Sequence, residues 1–194
     1  MQIANALTYN KDIITSKKLT AVIGVAFFVL ATILGAYVRI PVMGSPVPIT
    51  LQTFFVILSG AVLGRKLGSI SQISYILLGV IGLPVFQGAS FGAAYLAGPT
   101  GGYLIGFVAA AYLTGRLAAF AKRTIGHAIA VFAAGSLIIL ACGALWLASL
   151  YGAGLKSSIA IGVLPFIPGD LAKILAAAVI FSAIAKRSNR IFSA

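Results

Sequence analysis

The sequence predicts an all-α integral membrane protein: a six-transmembrane-helix bundle with cytoplasmic N- and C-termini and long outer loops. Three observations predict it. First, 61% of the 194 residues are hydrophobic and only 8% are charged, with a mean hydropathy of +1.12; soluble domains carry roughly 25% charged residues. Second, several apolar runs approach the ~20 residues that cross a bilayer as a helix. Third, the basic residues sit at the ends of these runs. A net charge of +12 would point to nucleic acid in a soluble domain. Here it marks membrane topology, and no nucleic-acid partner is expected.

Residues 1–18 are polar, carry three lysines and form a cytoplasmic N-terminal segment. The next run, Leu19 to Val38, is too long for a signal-peptide core and at ~1.5 Å per residue covers one hydrocarbon thickness. After it, Arg39 to Pro48 holds three prolines, which remove backbone donors and hold their predecessors extended. Helices over Ile49–Leu63 and Leu67–Leu83 are separated by the short basic turn Gly64-Arg65-Lys66. A second long connection, Pro84 to Pro99, is rich in glycine and aromatics. Helix 4 covers Thr100–Phe120, and Lys122 and Arg123 form the next turn. Helix 5 covers His127–Tyr151. Gly152 to Pro168 is a third long connection, with an apolar piece expected at the interface. Helix 6, Gly169–Ala185, completes the membrane domain of residues 19–185, and residues 186–194 form a basic cytoplasmic tail.

With the N-terminus inside, the inner segments collect eleven lysines and arginines. The outer connections hold only Arg39 and Lys156, a strong positive-inside asymmetry that places the chain, multi-pass, in a cytoplasmic (plasma or inner) membrane. All seven prolines fall in the outer connections. Long loops stiffened by proline suit the walls of a pocket, since irregular backbone at membrane depth survives only where protein or a cavity shelters it.

The chain has two acidic residues, Asp12 and Asp170, and no glutamate. An ionisable residue at a span is a functional candidate by default, and Lys173 lies one turn beyond Asp170 on the same face. The plainer alternative is a helix cap with a local ion partner. Around these two, Thr50, Gln52 and Thr53, and the run Gly98-Pro99-Thr100-Gly101-Gly102-Tyr103, bring polar groups and close-approach glycines to span entrances. Phe86, Tyr95 and Tyr103 supply apolar walls. A carboxylate beside an ammonium suits a neutral ring with both N–H and C=O, or a small zwitterion. Trp146 reads as an interfacial anchor and His127 as an interfacial residue. One cysteine, Cys142, excludes an internal disulfide and a cysteine-built metal site. No phosphate-binding loop and no catalytic constellation is present, so no enzymatic activity, metal or cofactor is expected.

Four motifs stand in order: Pro46-Val47-Pro48-Ile49-Thr50-Leu51-Gln52-Thr53, Gly82-Leu83-Pro84-Val85-Phe86, Gly98-Pro99-Thr100-Gly101-Gly102-Tyr103-Leu104 and Pro168-Gly169-Asp170-Leu171-Ala172-Lys173. Together they resemble the BioY family, the biotin-specific membrane S components of energy-coupling-factor (ECF) transporters, over nearly the whole chain. The resemblance implies biotin as the transported ligand, held by Thr50, Gln52, Phe86, Thr100, Gly101, Tyr103, Asp170 and Lys173, and Tyr95 joins these as the aromatic wall residue read from the second long connection. It also implies a partner ECF transmembrane component and two cytoplasmic ATPases that supply the energy. Helix 1 lacks the family's Ala-x-x-x-Ala coupling motif and carries Thr20–Gly24, Ala31–Gly35 and Thr32–Ala36 instead. Arg39 stands where it can attract an anionic vitamin or sit among headgroups. The alternatives are an S component for a different small vitamin and a non-transporting membrane assembly protein.

Overall fold

The computed structural model describes residues 17–120 and 124–192. The first sixteen residues and the basic turn at Lys122 and Arg123 lie outside the described residues. Five stretches are long and apolar enough to cross a membrane, and one of them divides in two. Helix α1 (Lys17–Tyr37) leads into a two-residue antiparallel ladder, β1 (Arg39–Ile40) with β2 (Ile49–Thr50), in which Arg39 faces Thr50. The Leu51 amide donates to the carbonyls of Gly35 and Val38, so the ladder is tied to the last turn of α1.

The stretch Gln52–Val80 is not one rod. Gly64 inside it has φ +80° and ψ 169°, a conformation open almost only to glycine. It divides the stretch into α2 (52–63) and α3 (65–80). The Gln52 amide reaches the Tyr75 hydroxyl at 2.5 Å, although 23 residues of straight helix would hold them ~35 Å apart. The chain therefore doubles back as a helical hairpin. Gly68 lies so close to Gly60 that a Cβ there would fall 2.7 Å from the Gly60 Cα, the small-on-small contact that lets membrane helices approach.

After a 3₁₀ turn (Gln87–Ala89) and the short α4 (Ala93–Leu96) come α5 (Gly101–Phe120) and α6 (Ile125–Tyr151). Helix α7 (Gly154–Gly162), a 3₁₀ turn (Leu164–Phe166) and α8 (Ile167–Phe192) complete the chain. Six long helical segments thus run back and forth among the described residues. The three proline-bearing connections gather at one end: the Tyr37 hydroxyl donates to the Pro84 carbonyl, Arg39 to Gln87, and the Trp146 indole to the Gly98 carbonyl. Arg65 meets Tyr112 at the other end.

Phe132, Tyr75, Phe86, Ile57, Ile139 and Leu147 are almost wholly enclosed. Val22, Ile23, Phe27, Leu30 and Leu34 of α1 and Leu171, Leu175 and Val179 of α8 are exposed. Stripes of this kind suit lipid as solvent rather than water.

Two expectations change. Helix 6 does not stop at Ala185: the backbone stays helical to Phe192, because nothing in Lys186–Phe192 breaks a helix. The small residues of α1 at Ala31, Thr32, Gly35 and Ala36 are buried, and a side chain at Gly35 would strike the backbone of Gln52. Trp146 is half-buried, donates to the Gly98 carbonyl at 2.9 Å and lies over Gly101 and Gly102. It braces a turn rather than anchoring in headgroups.

Replacing Gly64 by alanine should lower stability by about 1–3 kcal/mol, the cost of a strained backbone. Gly126→Ala, in helix α6 with open space where the methyl would go, should be neutral or slightly stabilising. Thermal unfolding in detergent checks both.

Candidate ligand-binding site

Between the loop-bearing ends of the helices lies a cavity with an open mouth, lined mostly by apolar side chains, the usual character of small-molecule sites. Its apolar side comes from Leu104 and Phe107 of α5, Ile139 and Leu140 of α6, and Phe166. Val47 and Pro48, from the proline-rich first connection, close it near the mouth. The polar side is built by Thr50, Gln52, Thr53, Tyr75, Asp170 and Lys173.

Helix α8 starts at Ile167, with Pro168 and Gly169 in its first turn, where a missing amide hydrogen does no harm. Asp170 and Lys173 follow on one face, and Lys173 Nζ lies 2.9 Å from Asp170 Oδ1. Each side chain is about one-tenth exposed. The other carboxylate oxygen accepts from the Ser136 hydroxyl at 2.7 Å, and Lys173 also donates to Thr53 Oγ1 at 2.9 Å. The local ion partner of the plainer reading exists. The capping role does not: among the described residues the carboxylate is held by side chains of α6 and α8.

The pair also lies deeper than a span entrance. Ser136 stands about 17 Å along α6 from Ile125 and about 23 Å from Tyr151 at 1.5 Å per residue, so it marks mid-depth. The chain reaches that depth because α7 and the following turn run down beside α6: the Gly162 carbonyl accepts from the Tyr103 hydroxyl at 2.6 Å, and the Phe166 ring lies 6.1 Å from that of Tyr103. The third connection, expected to hold an interfacial piece, thus packs inward and contributes Phe166 to the cavity lining.

A second chain of polar contacts runs through the other residues of the polar side. Thr50 donates to Gln52 Oε1 at 3.3 Å, Gln52 Nε2 donates to the Tyr75 hydroxyl, and Tyr75 donates to the Val85 carbonyl at 3.2 Å. It links the ladder, α2, α3 and the second long connection.

Of the nine residues singled out from the sequence, Thr50, Gln52, Tyr95, Thr100, Tyr103, Asp170 and Lys173 line the cavity. Phe86 and Gly101 do not. Phe86 is fully buried behind the wall, stacked on Tyr95 with 4.8 Å between centroids and set edge-on to Tyr75 at 5.7 Å. It therefore positions Tyr95 rather than facing the cavity. Gly101 is buried where α5 starts, pressed against the Leu96 carbonyl and Trp146. The Tyr95 hydroxyl is buried and, among the described residues, has no hydrogen-bond partner.

Sequence reasoning missed Ser136 and Tyr75, both in mid-helix. The spacing of Ser136, Ile139, Leu140 and Gly143, one face of a helix, was available as a signal. A lone serine in an apolar span, however, usually bonds to its own helix or a neighbouring one.

The comparisons agree with this architecture. The BioY family model matches residues 8–190. The chain belongs to the BioY family. It is 42% identical over 153 residues to the biotin transporter BioY of Thermotoga maritima, covering 79% of this chain and 88% of the relative. It is also 42% identical over 156 residues to the probable biotin transporter BioY of Pyrococcus horikoshii, covering 80% and 90%. Its fold matches the crystal structure of the S component for biotin from an ECF-type ABC transporter with a TM-score of 0.81 and 32% identity, covering 89% of this chain and 94% of that one. BioY-type chains share this helical S-component fold, multi-pass in a membrane.

Removing one partner of the buried pair should destabilise strongly. Lys173→Met is expected to cost about 3–5 kcal/mol, and the double variant Asp170→Asn/Lys173→Met should recover part of that loss. Thermal unfolding of the single and double variants in detergent checks the coupling.

Proposed function

We propose that this member of the BioY family captures biotin and takes it up across the cytoplasmic membrane as the S component of an ECF-type transporter. One observation carries the reading: an acceptor and a donor, Asp170 Oδ1 and Lys173 Nζ, sit side by side 2.9 Å apart in an open-mouthed, mostly apolar cavity. Biotin's ureido ring fixes an N–H beside the C=O along one edge. That edge matches the pair, because the N–H can donate to a remaining lone pair of Asp170. Lys173 has three donors and uses two, so the third reaches the ureido oxygen. The apolar thiophane ring packs on Tyr103, Phe107 and Ile139, and Gln52, Thr50, Thr100 and Tyr95 complete the polar and aromatic walls. Phe86 and Gly101 act from behind.

The loop-bearing end faces outward. Arg65, Lys66 and Arg116 are exposed on α3 and α5, and such residues concentrate on the cytoplasmic side. Arg39 and Lys156 are the described basic residues of the outer connections. This puts both termini inside. On this reading the protein acts as a carrier rather than an enzyme, with biotin as its transported ligand and no cofactor assigned. Energy comes from a partner membrane component and two cytoplasmic ATPases, and the biotin S-component neighbour, drawn from an ECF-type ABC transporter, supports this. Because the Ala31–Gly35 and Thr32–Ala36 pairs are buried, the partner meets a different face of α1.

Biotin should raise the thermal stability of the purified protein in proportion to RT ln(1 + [L]/Kd), and other small vitamins should not; a shift with another vitamin and none with biotin would reassign the ligand. Asp170→Asn and Lys173→Ala should each weaken biotin binding by about 2–4 kcal/mol in calorimetric titration.

A further inference from the structure

A carboxylic acid on an aliphatic tail is ionised at neutral pH, so biotin arrives as an anion. The charges inside the cavity already cancel, since Lys173 is bound to Asp170. A second carboxylate placed beside that pair would face Asp170 at short range in a low-dielectric chamber, which disfavours the charged form. The tail therefore needs a counter-charge elsewhere. Resting on the biotin reading above, we infer that Arg39 provides it: the guanidinium at the cavity mouth selects the ligand's carboxylate, with the ureido ring at the far end on Asp170 and Lys173.

Two independent contacts put Arg39 at the rim. In the β1–β2 ladder Arg39 stands directly opposite Thr50, and opposed residues project to the same face of a ladder. Thr50 belongs to the cavity wall. From the other side, Arg39 Nη1 donates to Gln87 Oε1 at 3.4 Å, and Gln87 is also a wall residue. The backbone beneath is shaped to the guanidinium. Gly88 has φ +70°, and a Cβ there would come within 2.6 Å of Arg39 Nη1.

The guanidinium is otherwise uncommitted. It is exposed, has five N–H donors with one in use, and among the described residues no carboxylate reaches it. Asp170, the acid among those residues, is engaged at mid-depth. Lys156, the other outer cation, is exposed on α7 and outside the cavity wall. A planar fork suited to bidentate carboxylate recognition thus stands at the one opening through which the tail would project.

The test titrates the detergent-solubilised full chain with biotin and with biotinamide, in which a neutral amide replaces the carboxylate. The wild type is expected to prefer biotin by about tenfold or more, the scale of a hydrogen bond to a charged group. Arg39→Gln should bring the preference close to one, mainly by losing affinity for biotin, and Arg39→Lys should keep most of it. An unchanged preference in Arg39→Gln overturns the inference. So does equal weakening of both ligands, which would make Arg39 a strut between two loops. If the wild type binds neither ligand, the biotin reading itself fails and this one falls with it.

Discussion

A largely buried ion pair governs this structure. Asp170 and Lys173 lie at the mid-depth of α6, where an uncompensated charge costs several kcal/mol. Their hydrogen bonds therefore matter to the packing of the bundle. Ser136 takes one carboxylate oxygen, Lys173 the other, and Thr53 a second proton of the ammonium. These contacts fix α2, α6 and α8 relative to one another. Both residues also line the cavity, so the contacts that fix the bundle stand at the candidate site itself.

The cavity exists because the loops are not ordinary surface loops. The proline-rich first connection returns as a short ladder bonded to the end of α1, and the last connection runs down beside α6 before α8 begins. Irregular backbone inside a membrane protein persists only when its polar groups are satisfied internally. Here the Tyr103 hydroxyl on the Gly162 carbonyl, Trp146 on Gly98 and Tyr75 on Val85 perform that task. Tyr75 and Tyr103 each have an apolar body for the wall and a polar tip for the loop, which explains their place at the site.

Glycine supplies the complementary constraint at the opposite end. The reversal at Gly64 and the close contact of Gly60 with Gly68 pack two short segments where one long helix would otherwise run. Neither segment alone matches the ~30 Å of a hydrocarbon core. The hairpin brings Gln52 and Tyr75 together, and without that meeting the polar chain from Thr50 to Val85 could not form. Backbone geometry at one end of the bundle thus decides which side chains meet at the other.

Composition and charge placement determined the membrane class, the order of the helices and the clustering of prolines in the connections on one side, because these depend on local hydrophobicity and backbone restriction. The rarity of acids singled out Asp170, and helical spacing tied it to Lys173; the four motifs pointed to the family and to Thr50, Gln52, Thr100 and Tyr103, and the aromatics of the second connection to Tyr95. Depth and facing were another matter. Phe86 and Gly101 are motif residues that stand behind the wall, Ser136 and Tyr75 are mid-helix residues that belong to the site, and Trp146 braces a turn. Whether a side chain points into a cavity, toward lipid or at a neighbour depends on the rotation and offset of one helix against the next. Those follow from long-range packing, such as the fit of Gly60 on Gly68 and the descent of residues 154–166 along α6, which local sequence does not encode.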